Sequence, residues 1–239
     1  MKESFDFDNL ALLDRLKKEA AETAVGYIES GMVVGLGTGS TTRYAIEELG
    51  RRLRTGSLKD ILAIPSSIQT EKLSRELAIE LKTLDEIQEI DITIDGADEV
   101  DPKLNLIKGG GGALLREKVL AQASRRNIMI VDESKLSPQL GTNWPIPVEV
   151  IPFAWKPIEK YITSLGAVVR LRMKDDDTPY TTDQDNYILD SKFGPIFDPH
   201  SLAAKLAYKA GIVEYGLFLG TASEVIVACK TGIRYLKRE

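Results

Sequence analysis

Three short segments of the chain hold the residues that could do chemistry. A glycine-rich segment occupies residues 35–42, an acidic segment occupies residues 95–101, and a lysine followed by four glycines begins the segment 108–118. The whole chain has one histidine and one cysteine, so proton or nucleophile chemistry would depend mainly on carboxylates and lysines. We therefore expect an Asp/Glu/Lys proton-transfer site that acts on a phosphorylated small molecule.

The glycine-rich segment follows a predicted buried strand and opens a predicted helix. A helix N-terminus offers free backbone N–H groups and a positive dipole end to an anion, and the hydroxyls of Ser40, Thr41 and Thr42 can add donors. NAD and ATP are disfavoured, because Ser40 stands where the dinucleotide fingerprint needs its third glycine and a P-loop would need Gly-Lys-Ser/Thr. The segment predicts a phosphate cradle, while a plain turn with Ser40 or Thr41 as N-cap stays open.

The acidic segment places Asp95 and Asp98 directly after the predicted strand 90–94. Both acids would then lie at the carboxyl edge of a sheet, where open α/β folds bind ligands. Such acids can hold sugar hydroxyls and exchange protons with a ring oxygen. An ordinary acidic turn helped by Gly96 is the alternative.

The third segment places Lys108 before four glycines and Glu117 in the first turns of the helix that follows. A glycine run loses conformational entropy on folding and packs little, so a close backbone approach to a ligand or another segment is the better explanation for it. Glu117 beside Lys108 suits a general base next to a cation that stabilises a developing negative oxygen. A flexible linker and a helix-start acid are the alternatives.

The apolar pattern predicts alternating helices and strands before residue 141. The predicted helices are 10–28, 41–53, 67–77 and 113–123, and the predicted strands are 32–36, 61–64, 79–81, 90–94 and 127–131. This alternation is typical of an α/β fold with an open, doubly wound (Rossmann-like) parallel sheet that has helices on both faces.

The pattern changes at the proline- and glycine-containing stretch 141–147. The elements predicted next are strand 148–151, helix 155–165, strands 168–173 and 187–189, helix 201–210 and strand 213–218. This order predicts a smaller inserted α+β domain of the split βαβ, ferredoxin-like kind. Because the apolar runs 225–229 and 233–236 would return to the first sheet, we expect an α/β catalytic domain at 1–143 plus 219–239 and an inserted domain at 144–218.

Composition excludes several classes of function. A net charge of −5 argues against a nucleic-acid partner, and no apolar run approaches the roughly 20 residues of a membrane span. The single cysteine fits a reducing compartment, and one histidine with one cysteine leaves no plausible zinc cluster. The acidic start lacks the character of a signal or transit peptide. These features predict a cytoplasmic enzyme without a metal.

Together, the three segments resemble those of the type A ribose-5-phosphate isomerases. The resemblance is carried by Thr38-Gly39-Ser40-Thr41, Asp95-Gly96-Ala97-Asp98 and Lys108-Gly109-Gly110-Gly111 followed by Glu117, with support from 131–135 and 147–152. It extends from about Leu10 to the C-terminus. Each motif alone is weak, but their order and spacing together are highly specific.

The resemblance implies an aldose–ketose isomerase of the non-oxidative pentose phosphate pathway. Such an enzyme interconverts ribose 5-phosphate and ribulose 5-phosphate through ring opening and a cis-enediolate, with neither metal nor cofactor. It also implies that Glu117 is the general base between C2 and C1 and that Lys108 lies near the enediolate oxygens, with possible help from the Gly109 and Gly110 amides. Asp95 and Asp98 would contact the sugar, with Asp98 the participant in ring opening.

The resemblance also implies a substrate-binding set and an oligomer. Ser40 and Thr41 would bind the phosphate, Lys135 would be a further substrate-binding lysine, and Lys17 would lie near the phosphate. The other matching positions are Thr38, Gly39, Gly96, Ala97, Gly109, Gly110 and Gly111. Relatives form homodimers or homotetramers.

Two other functions stay open from the sequence. A sugar-phosphate deaminase or coenzyme A transferase of the wider superfamily is one, although a deaminase should show an active-site histidine and His200 is better explained as a helix-start residue. A sugar-phosphate-sensing binding module is the other. Such a module would lack the pair of Glu117 and Lys108 and would normally carry a DNA-binding domain.

Overall fold

A computed structural model describes the backbone of residues 7–238 and, apart from residues 7–11 and 13, their side chains. The α-helices are α1 (Phe7–Val25), α2 (Ser40–Arg54), α3 (Ile68–Glu76), α4 (Leu114–Ala123), α5 (Trp155–Ser164) and α6 (Pro199–Ala207). Short 3-10 helices span Glu133–Lys135 and Pro152–Ala154. All six helices overlap helices predicted from the sequence. In the part of the chain described, no helix is long and apolar enough to cross a membrane.

Thirteen strands complete the described part of the chain. They are β1 (Val33–Leu36), β2 (Leu62–Pro65), β3 (Ile90–Asp95), β4 (Glu99–Val100), β5 (Leu106–Ile107), β6 (Ser124–Asp132), β7 (Ile146–Val150), β8 (Val168–Leu171), β9 (Tyr187–Lys192), β10 (Ile212–Tyr215), β11 (Leu217–Phe218), β12 (Glu224–Cys229) and β13 (Gly232–Lys237).

The largest sheet has six strands in the order β13-β12-β6-β3-β1-β2. Five of these strands are parallel to one another, namely β1, β2, β3, β6 and β12. This confirms the predicted α/β fold, whereas β13 is antiparallel to β12. The reason for the antiparallel edge is length, because only two residues join Cys229 to Gly232 and a parallel crossover needs a dozen or more.

Helices cover both faces of this sheet, as predicted. The inward faces of α1 and α2 pack on one side against buried strand residues such as Val34, Ile94 and Ile130. On the other side, Leu120 of α4 packs against Ile90, and further strand residues pack against β4, β5 and β11. Each fully buried Ile or Leu contributes about 1.5–3 kcal/mol. The strands are therefore held rigidly from both sides.

The strand order determines where a ligand can bind. From β1, the chain continues to β2 on one side, and β3 pairs with β1 on the other. This reversal creates a crevice outside the carboxyl ends of β1 and β3, which is the usual ligand site of open α/β sheets. The glycine-rich segment follows β1, and the acidic segment begins at the last residue of β3.

A second sheet has the antiparallel order β10-β7-β9-β8. Its strands and the helices α5 and α6 follow one another as β-α-β-β-α-β, which confirms the predicted split βαβ arrangement. The core of this layer includes Val148 of β7, Ile158 of α5, Leu189 of β9 and Leu206 of α6, all of them fully buried.

A third sheet, β11-β5-β4, was not predicted, because β4, β5 and β11 have two residues each and show no periodicity. The single strand predicted at 213–218 was wrong: Gly216 divides it, so that β10 pairs with β7 and β11 pairs with β5. A Cβ at Gly216 would lie 2.3 Å from the Lys108 carbonyl oxygen. The predicted strand 79–81 is reduced to one bridge, between Ala63 and Leu81.

Candidate active site

The turn after β1 is packed directly against the acid at the end of β3. The Gly37 N–H donates to the Ile94 carbonyl over 3.0 Å, and a Cβ built on Gly37 would lie 2.0 Å from Asp95 Oδ1. Any side chain at Gly37 would therefore displace the Asp95 carboxylate. Glycine at this position brings the first two segments into contact.

Helix α2 begins with an open N-terminus. Gly39 is the N-cap, with φ of 135°, and no side chain caps the helix, so the plain-turn alternative with Ser40 or Thr41 as N-cap is wrong. Ser40 is exposed and Thr41 is half-buried. Thr42 is fully buried, and its Oγ1 has no hydrogen-bond partner within the described residues. The first N–H groups of α2 are available to an anion.

The Thr38 side chain belongs to a cluster of hydroxyls that fixes the turn. Its Oγ1 lies 2.8 Å from Ser66 Oγ, 2.8 Å from Ser67 Oγ and 3.2 Å from Thr70 Oγ1. Thr70 Oγ1 in turn donates to the Gly37 carbonyl over 2.8 Å. The sequence analysis did not identify Ser66, which lies in the β2–α3 connection, or Thr70, which lies in the first turn of α3. The hydroxyl of Thr38 is thus committed to holding the turn.

Lys108 is the centre of a buried ionic cluster. Its Nζ lies 2.9 Å from Asp95 Oδ2 and 3.3 Å from Glu117 Oε2, and it donates to the Gly96 carbonyl over 2.7 Å. All three charged side chains are about 3% exposed. The contact with Glu117 is an ion pair without hydrogen-bond geometry, since Oε2 has no hydrogen-bond partner among the described groups. One ammonium therefore serves two buried carboxyls.

Backbone N–H groups hold the two aspartates. Asp95 Oδ1 accepts from Gly96 N–H over 2.7 Å and from Thr38 N–H over 3.3 Å. Asp98 Oδ2 accepts from Gly110 N–H over 2.7 Å, and a Cβ on Gly110 would lie 2.6 Å from Asp98 Oδ1. The acidic segment and the glycine run are thereby joined, and the glycine at position 110 is required by this close approach.

Burial dominates the ionisation of the cluster. It raises the pKa of Glu117 to about 8; the charge of Lys108 opposes the rise, and the charges of Asp95 and Asp98 add to it. Burial likewise raises the pKa of Asp95, although the charge of Lys108 and the two N–H donors oppose this rise. Burial alone would lower the pKa of Lys108, but the two carboxylates outweigh it and raise that pKa. Glu117 is thus the carboxyl able to gain and lose a proton near neutral pH.

The remaining predicted residues lie in the turn after Asp95, in the 3-10 helix after β6 and on α1. Gly96 and Ala97 form the turn between Asp95 and Asp98. Lys135 ends the 3-10 helix after β6, and its Nζ lies 4.9 Å from the centre of the Trp144 ring. Lys17 is half-buried on α1. Neither lysine forms an ion pair with Asp95, Asp98 or Glu117 in the described part of the chain.

The sequence analysis missed a contact from the second sheet to the glycine run. Arg172 Nη1, just after β8, donates to the carbonyls of Gly109 and Gly110 over 3.1 and 3.0 Å. Arg172 also forms a bidentate pair with Asp190 of β9, over 2.9 and 2.5 Å. No local pattern could have indicated this contact, because Arg172 and Gly110 are 62 positions apart.

Comparison with known proteins gives one consistent family. The family described as ribose 5-phosphate isomerase A (phosphoriboisomerase A) matches residues 62–232. A curated ribose-5-phosphate isomerase A from Desulfatibacillum aliphaticivorans is 56% identical over 224 residues, 94% of this chain and 97% of that protein. Another, from Chloroflexus aurantiacus, is 51% identical over 228 residues, 95% of each chain.

Solved structures agree with the sequence comparisons. A D-ribose-5-phosphate isomerase in complex with phospho-erythronic acid is 44% identical, with a TM-score of 0.93 over 95% of this chain and 99% of that chain. The ribose 5-phosphate isomerase A of Methanocaldococcus jannaschii is 40% identical, with a TM-score of 0.89 over 94% of this chain and 99% of that chain.

Proposed function

The chain belongs to the ribose-5-phosphate isomerase A family, and from this premise we propose that Glu117 is its general base and Lys108 its oxyanion-stabilising cation. The enzyme interconverts D-ribose 5-phosphate and D-ribulose 5-phosphate. The observation that carries the assignment is the buried Glu117 carboxyl, which lies beside Lys108 and has a pKa raised to about 8 by burial.

A single base that reaches both C2 and C1 of the substrate can carry out the proton transfer. In the open-chain aldose, Glu117 removes the proton from C2, and the C–H electron pair forms the C1–C2 double bond while O1 takes the negative charge of the enediolate. Glu117 then returns the proton to C1 while the O2 hydroxyl proton passes to O1, so that O2 becomes the ketose carbonyl and O1 a hydroxyl. Lys108, whose Nζ is 3.3 Å from the base, stabilises the charge on oxygen. Among the described residues, Glu117 Oε2 accepts no hydrogen bond of good geometry, which supports its role as the proton acceptor.

Ring opening is the proposed task of the two aspartates. Asp98 takes part in the proton exchange at the ring oxygen and the anomeric hydroxyl, and Asp95 contacts the sugar and orients Lys108. The half-buried position of Asp98 and the burial of Asp95 support this difference in role. Gly96 and Ala97 complete the sugar-binding turn, as the backbone of Gly109, Gly110 and Gly111 does on the facing side.

The phosphate is proposed to bind at the start of α2. The uncapped N-terminus, its exposed Ser40 and its half-buried Thr41 support a site that supplies hydroxyl and backbone donors together with the positive helix end. Thr38 and Gly39 shape this turn. Lys17 and Lys135 are proposed to add positive charge around the substrate.

Replacing Ser40 and Thr41 together by alanine should raise KM for ribose 5-phosphate by about 10-fold or more, because each hydrogen bond to a charged group contributes about 1.5–3 kcal/mol. The value of kcat should change little, since neither hydroxyl touches the reacting carbons. Steady-state kinetics measure both constants, with the exposed Ser164→Ala on α5 as the control. A fall in kcat at unchanged KM would remove both residues from the phosphate site.

The activity of the wild-type enzyme should depend on pH through Glu117. Only the ionised carboxylate accepts a proton, so kcat/KM for ribose 5-phosphate should rise with pH through a midpoint near the pKa of about 8. The midpoint reports the coupled cluster, and it is separable from the substrate phosphate, which titrates near pH ~6. A profile that is flat between about pH 7 and 9 would contradict the raised pKa.

We also propose the division of the chain into a catalytic domain, 1–143 plus 219–239, and an inserted domain, 144–218. The four strands of the second sheet all come from 146–215, and the return of β12 and β13 to the first sheet supports the insertion. A homodimer or homotetramer in the cytoplasm is the proposed working form. Light scattering on the purified protein measures the oligomeric state.

A further inference from the structure

Two side chains from the β8–β9 connection, Arg172 and Tyr180, bind the glycine run from outside, and Tyr180 Oη donates to the Gly111 carbonyl over 3.4 Å. Arg172 Nη1 binds the carbonyl oxygens of both Gly109 and Gly110. Gly109 has a φ of 98°, which belongs to the left-handed region where glycine is freely tolerated. A segment of four glycines can adopt many peptide orientations. Within the turn, the Gly112 N–H donates to the Gly109 carbonyl over 3.0 Å, and Arg172 adds a constraint on both carbonyls from outside.

The orientation of two carbonyls determines the orientation of two N–H groups. The described chain has no cis peptide bonds, and in a trans peptide group the C=O and the following N–H point in opposite directions. Because Arg172 draws the carbonyls of Gly109 and Gly110 to its own side, the N–H groups of Gly110 and Gly111 point away from it. The Gly110 N–H accordingly donates to Asp98 Oδ2 over 2.7 Å.

The N–H of Gly111 points to the same side as that of Gly110. Within residues 7–238 it donates to no acceptor, and Gly111 is exposed. It is therefore a free donor that follows directly on the Gly110 N–H bound to Asp98. A donor of this kind, held in place before the reaction, can stabilise negative charge that develops on a substrate oxygen.

We propose that Arg172 is a positioning residue for this isomerase, which orients the Gly110 and Gly111 N–H groups toward Asp98 and the enediolate oxygens. The proposal rests on the proposed function, because that function supplies the negative oxygen. Arg172 acts through the glycine run and touches no substrate atom. The bidentate pair with Asp190 fixes the guanidinium plane, which a lysine at this position could not reproduce.

The inference gives the second sheet a part in catalysis. Arg172 and Asp190 belong to the β8–β9 hairpin, whereas the reacting groups belong to the segments around β3 and α4. Tyr180, also from this hairpin, lies against Gly112, where a Cβ would meet its hydroxyl oxygen. The hairpin therefore contacts the glycine run at two places, through Arg172 and through Tyr180.

The test is the kinetics of four variants with ribose 5-phosphate. Arg172→Ala should lower kcat by about 10-fold or more, since loss of one oriented donor costs up to 10²–10³ in kcat, while KM stays within about threefold. Arg172→Lys and Asp190→Asn should lower kcat by a smaller factor than Arg172→Ala does. The control, Arg170→Ala, changes an exposed arginine two residues earlier on the same hairpin and should keep the wild-type kcat. Inhibition by inorganic phosphate should be equal in all five proteins.

The outcomes separate this proposal from the proposed function. Wild-type turnover with an unchanged kcat in Arg172→Ala would overturn the positioning role alone, as would a loss confined to KM. Absence of turnover in the wild type would overturn the proposed function itself. If Arg172→Ala does not fold, Arg172→Lys decides: a reduced kcat supports the role, and a wild-type kcat overturns it.

Discussion

Replacing Glu117 by glutamine should lower kcat for ribose 5-phosphate by about 100-fold or more, while KM stays nearly unchanged. Glutamine keeps the size and shape of the buried side chain but cannot accept a proton. Binding should survive because the proposed phosphate site at the start of α2 is untouched. The fold should also survive, since glutamine keeps the buried contacts and burial disfavours the charged form of the carboxyl that it replaces.

The matched control for this variant is Glu80→Gln. Glu80 is exposed, and its ion pair with Lys82 spans 3.8 Å, so the same chemical change there should leave both kinetic constants unaltered. Steady-state kinetics and calorimetric titration with ribose 5-phosphate measure catalysis and binding separately. Turnover of Glu117→Gln at the wild-type rate would remove Glu117 from the role of base.

Replacing Lys108 by methionine should have the second large effect, on both activity and stability. Methionine fills similar space, but it leaves the buried Asp95 and Glu117 carboxyls without their cation. Breaking a buried ion pair in this way destabilises a fold by about 3–5 kcal/mol. We expect kcat to fall by at least about 100-fold, because the enediolate oxygen loses its cation and Glu117 retains its proton.

The stability loss in Lys108→Met should depend on pH in a defined direction. Without the ammonium, the folded-state pKa values of both carboxyls lie even further above those in the unfolded chain. As pH rises, the unfolded chain releases these protons first, so stability is lost as pH rises toward the raised folded pKa. Because the pKa of Glu117 is already raised to about 8 in the wild type, the deficit should widen as pH rises through that value, and urea unfolding should show a smaller deficit at about pH 7 than at about pH 9. An equal deficit in the exposed control Lys103→Met, or no deficit in Lys108→Met, would contradict this expectation.

Much of the site could be predicted because its parts are local in sequence. A strand, a glycine turn and a helix follow one another within residues 33–54, so the helix N-terminus that we propose as the phosphate site could be located from this order. The placement of Asp95 at a sheet edge followed from the apolar strand before it. The alternative that stayed open, a plain turn with Ser40 or Thr41 as N-cap, is wrong because Gly39, with φ of 135°, takes that position.

The rest depended on packing between elements that are distant along the chain. Nothing in the spacing of Lys108 and Glu117 required Lys108 to pair with Asp95 as well, since that arrangement depends on how α4 packs against the first sheet. Arg172 was missed because its partners lie in another sheet. The division of the predicted strand 213–218 at Gly216 has the same origin, because two different sheets pair with its two halves.

Proton NMR of ribose 5-phosphate in deuterated water, with wild type and Glu117→Gln compared, tests the enediolate mechanism most directly. The account predicts that wild type forms ribulose 5-phosphate with solvent deuterium at C1, because a carboxyl that exchanges its proton with solvent delivers it there. Glu117→Gln should form almost none of this product in the same time. Ribulose 5-phosphate formed at equal rates by both proteins, and without deuterium at C1, would contradict both the enediolate and the carboxylate base.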